Sequence, residues 1–105
     1  MPKKTYGDVA NRVLFENERV RIWEMRMSPG EEGPLHRHER DHILVQIDGD
    51  RMAVVPDPDS KSVYDEYLEA DVEPGQCFYV ERGGIEIARN VGKREYHEIL
   101  IELLD

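Results

Sequence analysis

The sequence predicts an all-β domain, a sandwich or barrel, on three observations. Short β-forming runs are broken by Gly, Pro, Asn and Asp every ~8–12 residues. No stretch sustains the 3.6-residue apolar period of a long amphipathic helix. His42 to Ile47 (HILVQI) runs into Asp48-Gly49 and then Arg51 to Val55 (RMAVV), the pattern of a two-residue hairpin.

Val20 to Met27 (VRIWEMRM) is rich in β-formers and stops at Ser28-Pro29-Gly30. After the expected hairpin, Pro56-Asp57-Pro58-Asp59-Ser60 reads as a loop. Ser62 to Val72 is mixed: Tyr64, Tyr67 and Leu68 favour a strand, with a helical turn as the alternative. Glu73-Pro74-Gly75 is a turn, Cys77 to Val80 a core strand, and Gly83-Gly84 a second break. Ile85 to Ala88 is a short strand ending near Asn90 and Gly92. In Glu95 to Leu104, His97, Ile99, Ile101 and Leu103 alternate as in a strand, and a C-terminal helix competes.

The 105 residues suit one domain spanning 1–105. Fourteen basic against 23 acidic residues give a net charge of −9, which argues against nucleic acid or an anionic membrane as partner. No apolar run approaches the ~20 residues of a membrane span, and no signal peptide is visible after Met1-Pro2-Lys3-Lys4. The single cysteine, Cys77, permits no internal disulfide. A soluble, reducing, cytoplasmic setting is expected.

Three of the four histidines, His36, His38 and His42, share one parity in a short segment. On an extended chain, side chains of one parity face the same way, and three converging neutral imidazoles are what a transition metal takes. A solvated polar loop is the plainer alternative. Leu44 and Gln46 continue the face of His42 and are expected to line the pocket below it, where a buried amide needs partners. Gln46 reads as a cross-strand hydrogen-bonding group or as a substrate contact. Ile43, Val45 and Ile47 make the opposite face apolar as well, so this strand needs cover on both sides, from another strand, a terminal segment or a second subunit.

The spacing Gly30-x5-His36-x-His38-x3-His42-x6-Gly49 resembles the first motif of the cupin family, with His42 where the family carries glutamate. Gly75-x5-Glu81-x-Gly83-x2-Glu86-x3-Asn90 resembles the second, with Glu81 at the family's proline and Glu86 at its metal-binding histidine. The two ligand types change places and the inventory of three His and one Glu is kept. The resemblance covers about Val20 to Leu103, with motif one at 30–49 and motif two at 75–90. It marks the chain as similar to the small single-domain cupins.

That resemblance implies a double-stranded β-helix, a jelly-roll barrel. It also implies one divalent transition metal (Fe, Mn, Ni, Co or Zn) on His36, His38, His42 and Glu86. Small cupins of this kind are commonly homodimers, so a homodimer is expected. With no thiolate in the set, a structural zinc knot is disfavoured. The ion retains open positions for a small-molecule substrate or ligand. Off the metal, Glu86 becomes the catalytic base, and the remaining three-His site is similar to that of cupin dioxygenases. Three functions follow: an oxygenase-like enzyme on a small organic acid or diketone, a non-redox isomerase or lyase, or a non-catalytic ligand-binding cupin.

Asp41, of opposite parity to His42, is expected to be exposed or to pair with Arg37 or Arg40. His97 reads as a satisfied core or rim histidine rather than a fifth ligand. Trp23, Met25 and Met27 line the pocket mouth or simply pack, and Glu31-Glu32 reads as a solvated turn.

Overall fold

The computed structural model describes residues 4–62 and 64–105. The described residues form strands β1 (Arg12–Glu16), β2 (Val20–Met27), β3 (His36–Arg37), β4 (His42–Asp48), β5 (Arg51–Pro56), β6 (Leu68–Asp71), β7 (Cys77–Val80), β8 (Ile85–Asn90) and β9 (Tyr96–Leu103), with no helix among them. They make two antiparallel sheets, a five-stranded one in the order β1-β2-β9-β4-β7 and a four-stranded one in the order β3-β8-β5-β6. This is the sandwich the strand pattern predicts and the jelly-roll arrangement the cupin resemblance implies.

The ambiguous C-terminal segment is a strand. β9 fills the centre of the larger sheet, pairing with β2 on one side and β4 on the other. Its Ile99 and Ile101 are β-branched and suit a strand that is covered on both faces. Strand β1 and the two-residue β3 were not expected from composition. Val13, Leu14 and Phe15 are exposed on an edge strand, and β3 lies in a loop-like charged stretch. Val63, in the mixed segment, lies outside the described residues; that segment's strand is limited to Leu68–Asp71.

The Asp48-Gly49 hairpin is corrected. β4 and β5 lie in different sheets, their edges taken by β7 and β9 on one side and β6 and β8 on the other. A type I′ turn needs two residues at positive φ, and only Gly49 has it here (φ 149°). The turn is a corner that carries the chain from one sheet to the other. A Cβ at Gly49 would lie 2.8 Å from the Tyr96 ring and 3.3 Å from Val72, so glycine is required.

The dense core gathers at that corner, around Met25, Met27, Val72 and Tyr96. Met27 therefore packs rather than lining the mouth. Asn90 fastens it: its buried amide donates to the carbonyls of Met27 and Arg94 at 2.9 Å each, and its oxygen accepts from Gly92 N at 2.9 Å. The opposite part of the barrel interior is open and holds the histidines. Backbone bonds from Gly7 N to Leu35 O at 2.8 Å, and Lys4 Nζ between Asp57 and Asp59 at 2.6 Å each, strap the N-terminal segment over the barrel. Val9 in that strap is buried and lines the cavity.

Replacing Asn90 with Ala orphans two carbonyls and one amide. At about 1 kcal/mol per lost bond, urea denaturation should show a loss of about 3 kcal/mol; a loss below about 1 kcal/mol would contradict the role given to Asn90.

Candidate metal centre

Three strand ends and one turn build the site. β3 delivers His36, the turn after it His38, the start of β4 His42, and the start of β8 Glu86. His36 stands opposite Glu86 across the β3–β8 pairing, and backbone bonds between His38 and both Gly83 and Gly84 hold His38 against the segment that leads into β8. Donor atoms of His36, His38 and Glu86 all lie within 4.8 Å of one another. Glu86 Oε1 is 3.7 Å from His36 Nε2 and 3.3 Å from His38 Nε2. His42 falls outside that group; its ring stacks on His38 with centroids 4.0 Å apart and planes 17° apart. His36 meets His38 edge-on at 4.8 Å.

The histidines are prepared as ligands. His36 Nδ1 donates to Pro34 O at 3.1 Å and His42 Nδ1 donates to Arg40 O at 3.0 Å. Each bond fixes the proton on Nδ1 and leaves Nε2 as a lone-pair donor, the second interaction that metal-bound histidines usually make. Burial, and then the neighbouring His38, push His42 down to about 4, so it is neutral at pH 7. Burial alone would raise Glu86, but in the metal-free protein donation from His36 and His38 in their Nε2-protonated, cationic form outweighs it and holds the carboxyl at about 2.

The residues fit a cation. His38 Nδ1 is sealed from solvent and has no hydrogen-bond partner among the described residues. A proton on Nε2 points at Glu86 and leaves Nδ1 a bare lone pair. A proton on Nδ1 turns the Nε2 lone pair toward a carboxylate. In either state Nδ1 stays unmet, at about 1–3 kcal/mol; in the second, a cation between Nε2 and Oε1 replaces the lone pair–carboxylate contact with two ligand bonds. Ligands each about 2.0–2.2 Å from one ion lie about 3–4 Å apart, which the 3.3 and 3.7 Å separations meet.

The four residues open onto a cavity of about 190 Å³ walled largely by aliphatic side chains. Leu44, Gln46 and Met25 line it, as their parity predicts for Leu44 and Gln46. Gln46 bonds across strands: Nε2 donates to the Tyr96 hydroxyl at 3.4 Å, and Oε1 accepts from Glu73 N at 3.4 Å. Two cavity residues lay unread in the sequence. Tyr96 and Glu98 alternate with the apolar Ile99–Ile101–Leu103 set, and it is the parity of Tyr96, Glu98, Leu100 and Glu102 that is buried. The register of Glu98 with Gln46 was the signal that could have found it. Glu98 accepts the Tyr96 hydroxyl proton, and burial pushes its carboxyl up to about 7.

Other expected residues fall elsewhere. Cys77 is on a strand but exposed, on the outer face opposite Val45, and is not in the core. Asp41 pairs with Arg82, not Arg37 or Arg40, because the Arg82 backbone N–H (2.9 Å) and side chain (3.1 Å) reach it together. His97 Nε2 lies 2.9 Å from Glu24 Oε2, which makes it a satisfied rim histidine. Trp23 donates to Glu102, the cross-strand partner of His42, at 2.6 Å and does not line the cavity. Glu31 caps Ser28 N at 2.8 Å, and Glu32 pairs loosely with Arg89 at 3.4 Å.

The family model described as "Auxin binding protein" matches residues 2–102. The chain belongs to the auxin-binding protein family. Auxin-binding protein T85 of Nicotiana tabacum is 25% identical over 96% of this chain and 58% of its own length. The chain thus spans little more than half of that relative. Among solved structures, a cupin domain from Bordetella pertussis superposes with a TM-score of 0.76 at 22% identity, over 99% of this chain and all of that one. An RmlC-like cupin with a double-stranded β-helix fold from Methanocaldococcus jannaschii gives 0.68 at 18% identity, over 99% and 93%. The fold of this family member is the cupin fold.

Glu98 sets a stability test on metal-free protein. Its folded value of about 7 lies above the ordinary 4.5. Stability is therefore full below about pH 4.5 and is lost as pH rises through 7. Glu98→Gln removes that loss, so its stability relative to the parent should rise by about 3 kcal/mol between pH 4.5 and 8. Parallel pH profiles for the two proteins would contradict a raised Glu98.

Proposed function

We propose that this protein holds one divalent transition metal on His36, His38, Glu86 and His42 and binds a small organic carboxylate against it. The observation that carries the reading is the convergence of His36, His38 and Glu86 on one wall of an apolar cavity. Each histidine then serves as a neutral nitrogen ligand, with His42 closing the set from its stack on His38. A divalent ion with one carboxylate ligand supplies a centre of net charge +1, a Lewis acid for an anionic ligand. The aliphatic walls exclude water and take the ligand's apolar body. The named activity of the tobacco relative fits, since auxins are carboxylic acids. Glu86, held at about 2, is too weak a base for proton abstraction at neutral pH and suits ligation.

A second reading, an oxygenase-like or non-redox lyase or isomerase activity on the same acid, is favoured by Glu98. A cavity carboxyl raised to about 7 is placed to hold or move a proton. The element bound sorts these, iron toward oxygen chemistry and zinc toward binding or Lewis-acid chemistry.

The larger sheet carries an apolar row on its outer face: Phe15, Ile22, Ile101, Ile43 and Tyr79 are consecutive cross-strand partners. Phe15 is 52% and Tyr79 61% exposed. A second copy of the chain covering this face is the proposed homodimer, in a cytoplasmic setting that suits the free Cys77.

Elemental analysis of protein purified without added metal should find near one equivalent of a transition metal, and His38→Ala should lose most of it. Unchanged content in His38→Ala would overturn the site; retention in Glu86→Ala would reduce it to three histidines. For the assembly, Ile43→Glu should sediment as a monomer where the parent sediments as a dimer. A monomeric parent contradicts the dimer.

A further inference from the structure

The cavity has a second polar group, besides the histidine cluster, for which metal binding provides no task. Gln46 lies four residues along β4 from His42, about 13 Å of backbone at ~3.3 Å per residue, and Glu98 is its cross-strand partner on β9. The three polar residues there are held in place. Tyr96 donates to Glu98 Oε1, Gln46 Nε2 reaches the same phenol oxygen at 3.4 Å, and Glu73 N holds Gln46 Oε1 at 3.4 Å.

Glu98 Oε2, by contrast, makes no hydrogen bond among the described residues. It is also not sealed off, since His38 Nδ1 is the one sealed, unpartnered side-chain atom among them. Oε2 therefore opens on the cavity that Glu98 lines. A polar atom that faces an apolar space with spare capacity favours a ligand that can meet it, because a ligand that displaces water without replacing its bond leaves the oxygen unsatisfied.

We propose that Glu98 is a specificity-determining residue whose Oε2 hydrogen-bonds a hydroxyl at the far end of a small carboxylic acid, while the acid's carboxylate lies at the His–Glu centre. The ligand class is a hydroxylated acid with a short apolar body, matched to a cavity of about 190 Å³. A hydroxyl donates and accepts, so it meets the Glu98 carboxyl in either protonation state. Tyr96 is a positioning residue that holds the other carboxyl oxygen, and Gln46 in turn holds the Tyr96 hydroxyl. The proposal rests on the metal-anchored carboxylate reading above.

The test is calorimetric titration of the zinc-loaded full chain, and of the zinc-free chain, with phenylacetate, 3-hydroxyphenylacetate and 4-hydroxyphenylacetate. One hydroxylated acid should bind the zinc-loaded parent about 10-fold tighter than phenylacetate, the worth of one hydrogen bond to a charged group. In Glu98→Leu, or Glu98→Met if that variant fails to fold, the ratio should fall to within about twofold of one. Glu98→Gln, which keeps an acceptor and a donor, should restore part of the ratio, as lost packing alone would not. Zinc-dependent binding of all three acids with equal affinity overturns the Glu98 assignment alone, as does a ratio that persists in the apolar variants. Absence of zinc-dependent binding for every acid overturns the assignment together with the metal-anchored reading.

Discussion

His36 and Glu86 face each other across the pairing of β3 with β8, and the site depends on that register. β3 has only two residues, too few to fix its own position. It is pinned by β8, by Gly7 N on Leu35 O, and by the bonds between His38 and Gly83–Gly84. A slip of one residue would turn His36 and Glu86 to opposite faces of the sheet. In register, a carboxylate held at about 2 lies within reach of two imidazoles inside an apolar barrel. Such a group is costly to bury alone, and the grouping of the three side chains fits a shared cation.

The barrel explains why these donors are useful. Its aliphatic interior disfavours the charged form of His42, so the ring is available as a neutral ligand at pH 7. Burial in the same interior raises Glu98. The cavity thus has two polar groupings, the His–Glu cluster and the Gln46–Tyr96–Glu98 set, on otherwise aliphatic walls. The outer apolar face of the larger sheet has the same cause as the inner one: β4 and β9 are central strands with β-branched residues on the side away from the cavity.

Much of this was legible from parity. His36, His38, His42, Leu44 and Gln46 share a face, and the structure puts all five on the cavity wall. The glycine, histidine and asparagine spacings resemble cupin motifs, and the fold matches. β9 was harder, because both of its faces read plausibly as the inner one. The apolar set Ile99, Ile101 and Leu103 looks like core, yet Tyr96, Glu98, Leu100 and Glu102 are the buried ones. A cavity lined in part by polar groups inverts the usual pattern of apolar inside and polar outside, and an outer face of partly buried apolar residues hides the inversion. Asp48-Gly49 misled for a different reason. The dipeptide specifies a tight reversal, but which strands then pair is settled by the neighbours that occupy their edges. Likewise nothing near Asp41 in sequence points to Arg82, which arrives through the β4–β7 pairing.

The most direct test of the central claim is the X-ray absorption spectrum of the protein loaded with cobalt(II) at its K edge. The account predicts a nitrogen and oxygen shell at about 2.0–2.2 Å with the outer-shell scattering of at least two imidazoles and no sulfur. A shell containing sulfur, or oxygen alone without imidazole scattering, would contradict a centre built on His36, His38 and Glu86.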